Sequence, residues 1–143
     1  MKTMKQLLEE RPRTPVAVSP DDSVFSALEL MAKHEIGAVL VMNGGQLVGI
    51  FSERDYARKI ILLGKASKDT QVREIMTEKV LYVLPHQTTD EAMALMTEKH
   101  IRHLPVLDSS QKLIGMVSIG DLVRETISEQ AFLIKQLEQY IAG

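Results

Sequence analysis

Two stretches of the chain share one pattern of polar residues: Gly49-Ile50-Phe51-Ser52-Glu53-Arg54-Asp55 and Gly115-Met116-Val117-Ser118-Ile119-Gly120-Asp121. In both, a glycine and two apolar residues precede a serine, and an aspartate follows three positions later. The spacing has two chemical readings. A serine followed by a carboxylate at this interval caps a helix, with the hydroxyl satisfying an orphan N–H and the aspartate favoured by the helix dipole. The same geometry can gather a ligand. Exposed N–H groups and the positive helix end attract phosphate, a serine hydroxyl can join them, and a carboxylate in the first turn can accept bonds from both hydroxyls of a ribose. The glycine lets a backbone or a ligand approach closely.

Other chemistry is poorly served. Cysteine is absent, which removes disulfides, thiolate metal sites and thiol nucleophiles. His34, His86, His100 and His103 show no ligand spacing beyond the His100/His103 pair, so no metal site is expected. A Ser-His-Asp triad can be assembled on paper, but no G-x-S-x-G elbow accompanies it. No catalytic residue is assigned. The eight methionines read as adaptable core filler, a few of them able to line a partner surface. Arg58 and Lys59 read as a solvated helix face, or else as a rim for polyphosphate.

The doubled motif belongs to a doubled chain. Sliding the sequence by 65 positions lays Ser19-Pro20-Asp21-Asp22-Ser23 on Leu84-Pro85-His86-Gln87-Thr88 and matches Ala27, Leu30, Met31, Ile36 and Val41 with identical residues. One extra residue near Ser110 then brings Leu47, Gly49, Ser52, Asp55 and Arg58 onto Leu113, Gly115, Ser118, Asp121 and Arg124. Each copy begins with a β-prone stretch, Val16 to Val18 or Val80 to Leu84, that ends at a proline. A helix follows, N-capped by Asp22 or Thr88, with Thr88 and Glu91 spaced as a capping box. Apolar stripes run through Val24, Leu28 and Met31, and through Ala92, Met93 and Met96.

Two strands come next, 38–42 and 47–51 around the turn Asn43-Gly44-Gly45, and 104–107 and 113–117 around Asp108 to Gln111. A second helix starts at Ser52 and stops at Gly64, and its counterpart starts at Ser118. The reading is an α/β (α+β) fold of two β-α-β-β-α repeats, packed together because neither buries much core alone. Repeat one spans 1–64, a polar linker 65–70, repeat two 71–126, and an amphipathic helix 127–143 closes the chain. Val72 to Thr77 is expected to lead into the second repeat as Met4 to Leu8 leads into the first.

Composition narrows the partners. The 143 residues carry a net charge of −2, with basic and acidic residues interspersed. That gives no clustered basic face for nucleic acid or an anionic membrane. No apolar run approaches the ~20 residues of a membrane span, and the first residues lack the apolar core of a signal peptide. A cytoplasmic protein is expected.

The β-α-β-β-α repeat, the G-h-x-S-x-x-D ending and the Val72-Arg73-Glu74-Ile75-Met76-Thr77 lead-in resemble the CBS domain, which occurs in tandem pairs called Bateman modules. The resemblance runs from about Met4 to Glu125. It implies two repeats related by a pseudo-twofold axis, with adenosine-containing ligands such as AMP, ADP, ATP, NAD or S-adenosylmethionine in two clefts between them. On the matching positions, Asp55 and Asp121 would hold ribose hydroxyls, and Ser52 and Ser118 would approach phosphate. Pro15-Val16 and Val80-Leu81 would border adenine with Ile36 and Ile101. Arg102 and His103 match phosphate-binding basic positions of relatives. The first copy departs there, with Gly37 and Ala38, and Arg54 would compensate where the second copy has Gly120. The clefts are therefore expected to differ.

The expected function is a nucleotide-responsive regulatory module, standing alone without a catalytic domain, its regulated protein partner unidentified. The alternative is a ligand-free structural dimerisation module of a larger assembly, in which the serines and aspartates only cap helices. A homodimer is expected. Tyr56, Ile60, Ile61 and Leu63 exceed what one helix needs for its own core, and the tail from Ile127 to Ile141 adds a second apolar stripe. Both sets also read as ordinary core.

Overall fold

The computed structural model describes residues 1–142. Its elements run α1 (Met4–Glu10), β1 (Ala17–Val18), α2 (Val24–His34), β2 (Ala38–Asn43), β3 (Gln46–Ser52), α3 (Glu53–Asp55), a π-helical stretch Tyr56–Ile61, α4 (Val72–Ile75), α5 (Thr89–Lys99), β4 (His103–Leu107), β5 (Leu113–Ser118) and α6 (Ile119–Ala142). The mixed α/β class and the C-terminal helix are as the sequence reads. Two compact units emerge, and they do not follow the repeats. One unit is Thr14–Leu81; the other joins Met1–Arg13 to the chain from Tyr82 onward.

The lead-ins are thus exchanged. Met4 and Leu7 of α1 are buried in the core with Val83, Ala92, Met96, Leu104, Val106, Val117 and Leu122. Val72 and Ile75 of α4, expected to open the second repeat, are buried instead with Val18, Val24, Met31, Val39, Val41, Phe51 and Ile60. Each helix is too short to stand alone and forms on the apolar surface that it covers, at on the order of 1.5–3 kcal/mol per buried side chain. Backbone bonds fix the exchange: Met4 N–H donates to Gln87 O and Lys5 N–H to Pro85 O, while Val72 N–H donates to Asp22 O and Arg73 N–H to Pro20 O. The expected linker also packs locally, with Phe25 N–H donating to Ser67 O and Val24 N–H to Thr70 O.

In the Thr14–Leu81 unit β1 lies parallel to β2, and β2 antiparallel to β3. The hairpin turns at Gly44 and Gly45, whose φ angles of 58° and 82° are the left-handed pair that a two-residue turn requires. The other unit has β4 antiparallel to β5. Its expected first strand over Val80 to Leu84 shrinks to one bridge, Val83 with Val106. The cause is a proline. Leu40 N–H donates to Val16 O, but the residue matching Leu40 is Pro105, which has no N–H to give.

The helix ends bring further corrections. Ser23, not Asp22, caps α2, accepting from Ser26 N–H, because the Asp22 carboxylate is taken by Ser19 N–H. Thr88 caps α5 as expected, but Glu91 answers the Thr88 hydroxyl instead of its N–H, so the box is half made. The helical stretch beginning after Ser52 ends at Ile61, and the turn that closes it reaches Gly64, the expected stop, with φ 68°. Its counterpart meets Gln130 at the matching place and continues, so the second helix and the tail are one helix of 24 residues.

The motif glycines explain how the lead-ins sit. A Cβ at Gly49 would lie 2.6 Å from Met76 Sδ and 3.1 Å from Thr77 O; at Gly115 it would lie 2.7 Å from the Leu8 methyls. What approaches these glycines is the lead-in. Gly49→Ala meets a backbone oxygen as well as a side chain, whereas Gly115→Ala meets only the mobile end of a leucine. We expect Gly49→Ala to cost about 1–3 kcal/mol in urea denaturation, and Gly115→Ala to cost less.

Candidate functional site

Strand register brings the motif residues to one end of each sheet. In the Thr14–Leu81 unit β3 ends at Ser52 opposite Ala38, the first residue of β2, and β1 begins alongside, Ala17 facing Leu40. Pro15 and Val16 precede β1 and Ile36 precedes β2, so these residues gather where Ser52 and Asp55 stand. Val16 and Ile36 are half-buried against the core. Arg54 is exposed in the same first turn as Asp55. In the other unit Ser118 faces His103, Ile119 N–H donates to Arg102 O, and Ile101 packs on the core. Val80 and Leu81, assigned by sequence to the second copy, fall in the Thr14–Leu81 unit and outside any strand.

The capping reading of S-x-x-D is realised in atoms. Asp55 N–H donates to Ser52 Oγ at 3.2 Å, and Ser52 N–H returns to Asp55 Oδ2 at 3.0 Å. Asp121 N–H donates to Ser118 Oγ at 3.2 Å, and Ser118 N–H to Asp121 Oδ2 at 2.8 Å. Both carboxylates are buried, 8 % and 6 % exposed. A cap needs no such burial, and a buried carboxylate needs compensating donors.

Those donors come from elsewhere in each unit. Asp55 Oδ1 accepts from the Thr77 hydroxyl at 3.1 Å, with Lys59 Nζ 3.3 Å away. The same ammonium donates to Ile75 O at 2.9 Å, tying α4 to the motif helix. Asp121 is gripped by two guanidiniums, Arg13 Nη2 on Oδ2 at 2.8 Å and Arg124 Nη2 on Oδ1 at 2.7 Å. Burial penalises the Asp121 charge, but the Ser118 N–H and the Arg13 guanidinium outweigh it and hold this carboxyl below the usual carboxylate range. An open recess lies beside it, lined by Leu7, Leu8, Arg11, Arg13, Asp121 and Glu125. Glu125 pairs with Lys2 at 2.8 Å, and hydrogen bonds from Lys2 to Glu10 and Glu125 raise the lysine pKa.

Sequence reasoning missed Thr77 and Arg13 as partners of the aspartates. Each follows a lead-in helix, and only the exchange of lead-ins brings it to its motif. Arg124 was visible as the repeat partner of Arg58, yet its ion pair with Asp121 was not foreseen. Among the described residues no group of three or more His, Cys, Asp or Glu could hold a metal ion, and no helix is long and apolar enough to cross a membrane.

Because Asp121 has a lowered pKa in the folded state, its stabilising charge is present above its unfolded pKa, about 3.9, and is lost as pH falls through the folded value. Asp121→Asn should therefore melt below the unsubstituted protein at pH 7, by about 1–2 kcal/mol. The gap should close below about pH 4 in melting curves taken across pH.

Known proteins resemble this arrangement. The CBS domain family model matches residues 8–62 and 72–128. A solved structure of a protein with CBS domains from Burkholderia ambifaria is 54 % identical, with a TM-score of 0.86 over 90 % of this chain and 96 % of that one. The mitochondrial CBS domain-containing protein CBSX3 of Arabidopsis thaliana is 45 % identical over 86 % of this chain and 62 % of its own length. The CBS domain pair of protein MJ0100, solved in complex with 5'-methylthioadenosine and S-adenosyl-L-methionine, is 25 % identical, with a TM-score of 0.77 over 87 % of this chain and 99 % of that one. This chain spans under two thirds of the length of the first two curated relatives that it matches.

Proposed function

The chain belongs to the CBS domain family, and from that premise we propose that it is a regulatory module binding an adenosine-containing ligand at its two S-x-x-D motifs, with no chemistry of its own. The observation that carries this reading is a buried aspartate, in each unit, at the strand end where half-buried apolar residues gather. A carboxylate in that position suits a ribose diol, and neighbouring apolar side chains suit a base. The adenosine compounds bound by MJ0100 support the ligand class. AMP, ADP, ATP and NAD are the first candidates for this chain.

In this reading Asp55 and Asp121 take ribose hydroxyls, and Ser52 and Ser118 approach phosphate. Pro15, Val16 and Ile36 border the base at one motif, and Ile101 at the other. Val80 and Leu81 stay in the proposal as base-bordering residues, though no strand holds them. Arg102 and His103 serve phosphate at one motif and Arg54 at the other, so the two sites differ in anion recognition.

A homodimer is part of the same proposal. Ile127, Ile134 and Ile141 recur at seven-residue spacing on α6 with Leu137 between, all more than half exposed. That is a heptad seam, which two copies of one helix can cover mutually. The seam also favours the alternative of a ligand-free dimerisation module, and ligand binding decides between them.

Ligand at ~100 times its dissociation constant stabilises a fold by about 2.7 kcal/mol, several degrees in melting temperature. We expect such a shift for at least one of AMP, ADP, ATP or NAD. Asp55→Ala and Asp121→Ala should each remove one class of site in calorimetry. No shift and no heat with any of the four at millimolar concentration would leave the dimerisation module standing. Light scattering should give twice the chain mass, and a clean monomer at high micromolar concentration refutes the dimer.

A further inference from the structure

The grip on Asp121 leaves it unable to receive a diol as it stands. An ionised carboxylate offers about four acceptor positions. Ser118 N–H and Arg13 fill two on Oδ2, and Arg124 fills one on Oδ1. One hydroxyl can still be accommodated; two cannot, so a diol must displace a donor. The Ser118 amide is fixed where β5 passes into α6. Arg124 is tethered three residues away on the same helix. Arg13 is the one that can leave. The two guanidiniums are similarly exposed, 55 % for Arg13 and 57 % for Arg124, but Arg13 lies 108 residues away in sequence, between α1 and β1 in a stretch without regular structure.

We propose that Arg13 is a ligand-displaced latch that makes the Asp121 site select anionic nucleotides over uncharged nucleosides. This rests on the nucleotide-binding reading above. A nucleoside that takes Asp121 must break the Arg13 ion pair and offers the guanidinium nothing in exchange. A nucleotide breaks the same pair but brings a phosphate, to which a guanidinium can donate two parallel bonds. Arg11, also lining the recess, adds to the positive field there. The exchange gives the released guanidinium a charged partner with a nucleotide and only water with a nucleoside. At the other motif Asp55 Oδ1 accepts from the neutral Thr77 hydroxyl, and its cation, Lys59, sits four residues along the chain and is also held by Ile75 O, so no guanidinium from a distant segment latches that carboxylate.

The test is calorimetric titration of adenosine and AMP into the full chain, with Arg13 intact and with Arg13→Gln and Arg13→Lys. The class of site followed is the one that Asp121→Ala removes. With Arg13 intact, AMP should bind more tightly than adenosine, and the preference should narrow as salt rises. Arg13→Gln should shrink the preference about tenfold or more without weakening adenosine, and Arg13→Lys should keep part of it. Equal weakening of both ligands by Arg13→Gln, or an unchanged preference, overturns the latch while nucleotide binding stands. Binding of neither ligand by the unsubstituted chain overturns both readings. Should Arg13→Gln fail to fold by its melting curve, the salt series decides: a preference indifferent to salt overturns the latch.

Discussion

Beside Gly49 and Gly115 there is no room for a methyl group. Met76 and Thr77 fill that space in one unit, and Leu8 fills it in the other. These close approaches seat the two short lead-in helices on the strands that carry the motifs. Once seated, each lead-in closes a core, with Val72 and Ile75 in one unit and Met4 and Leu7 in the other. Each also delivers the next residue that matters to the motif. Thr77 reaches Asp55 directly after α4, and Arg13 reaches Asp121 shortly after α1. A larger residue at either glycine would disturb core and candidate site together, because one segment serves both.

Two copies of one pattern have become physically unequal through single residues. Pro105 stands where Leu40 donates a ladder bond, and the second copy loses its first strand to that missing N–H. Gly64 adopts a positive φ in the turn that closes the first motif helix, while Gln130 lets the second run on to Ala142. The extension carries Ile127, Leu133, Ile134 and Leu137 into exposure, far beyond what the unit's own core can cover. A hydroxyl and one ammonium answer one motif aspartate, and two guanidiniums answer the other. Duplication supplied the scaffold, and these exceptions supply the difference between the halves.

Capping and ligand recognition are not rival uses of S-x-x-D here. The reciprocal Ser–Asp bonds fix the carboxylate rotamer, so the cap itself positions a buried charge at the strand ends. Such a charge is stable only with donors around it, and an arriving diol can serve as well as the protein groups it replaces. A site of this kind is held in shape by contacts that a ligand then exchanges for its own.

The sequence by itself determined the duplication, the helix–strand–strand–helix order that both copies keep, the turn at Gly44 and Gly45, and the two S-x-x-D motifs. Those features rest on short-range periodicity, positive-φ preference and capping chemistry, which leave marks within a few residues. It also resolved the family, since the glycine, serine and aspartate recur at fixed spacing in both copies. The sequence placed the N-cap of α2 one residue early and assigned the lead-ins to the wrong partners. Ser19 to Ser23 holds several side chains able to cap, and only the folded turn decides that Asp22 answers Ser19. The exchange of lead-ins, and with it the meeting of Arg13 and Asp121 across 108 residues, was decided by tertiary structure alone. The physical reason is that a helix of four or seven residues has no stable position until a complementary apolar surface offers one, and nothing in its own composition says which of two similar surfaces that will be.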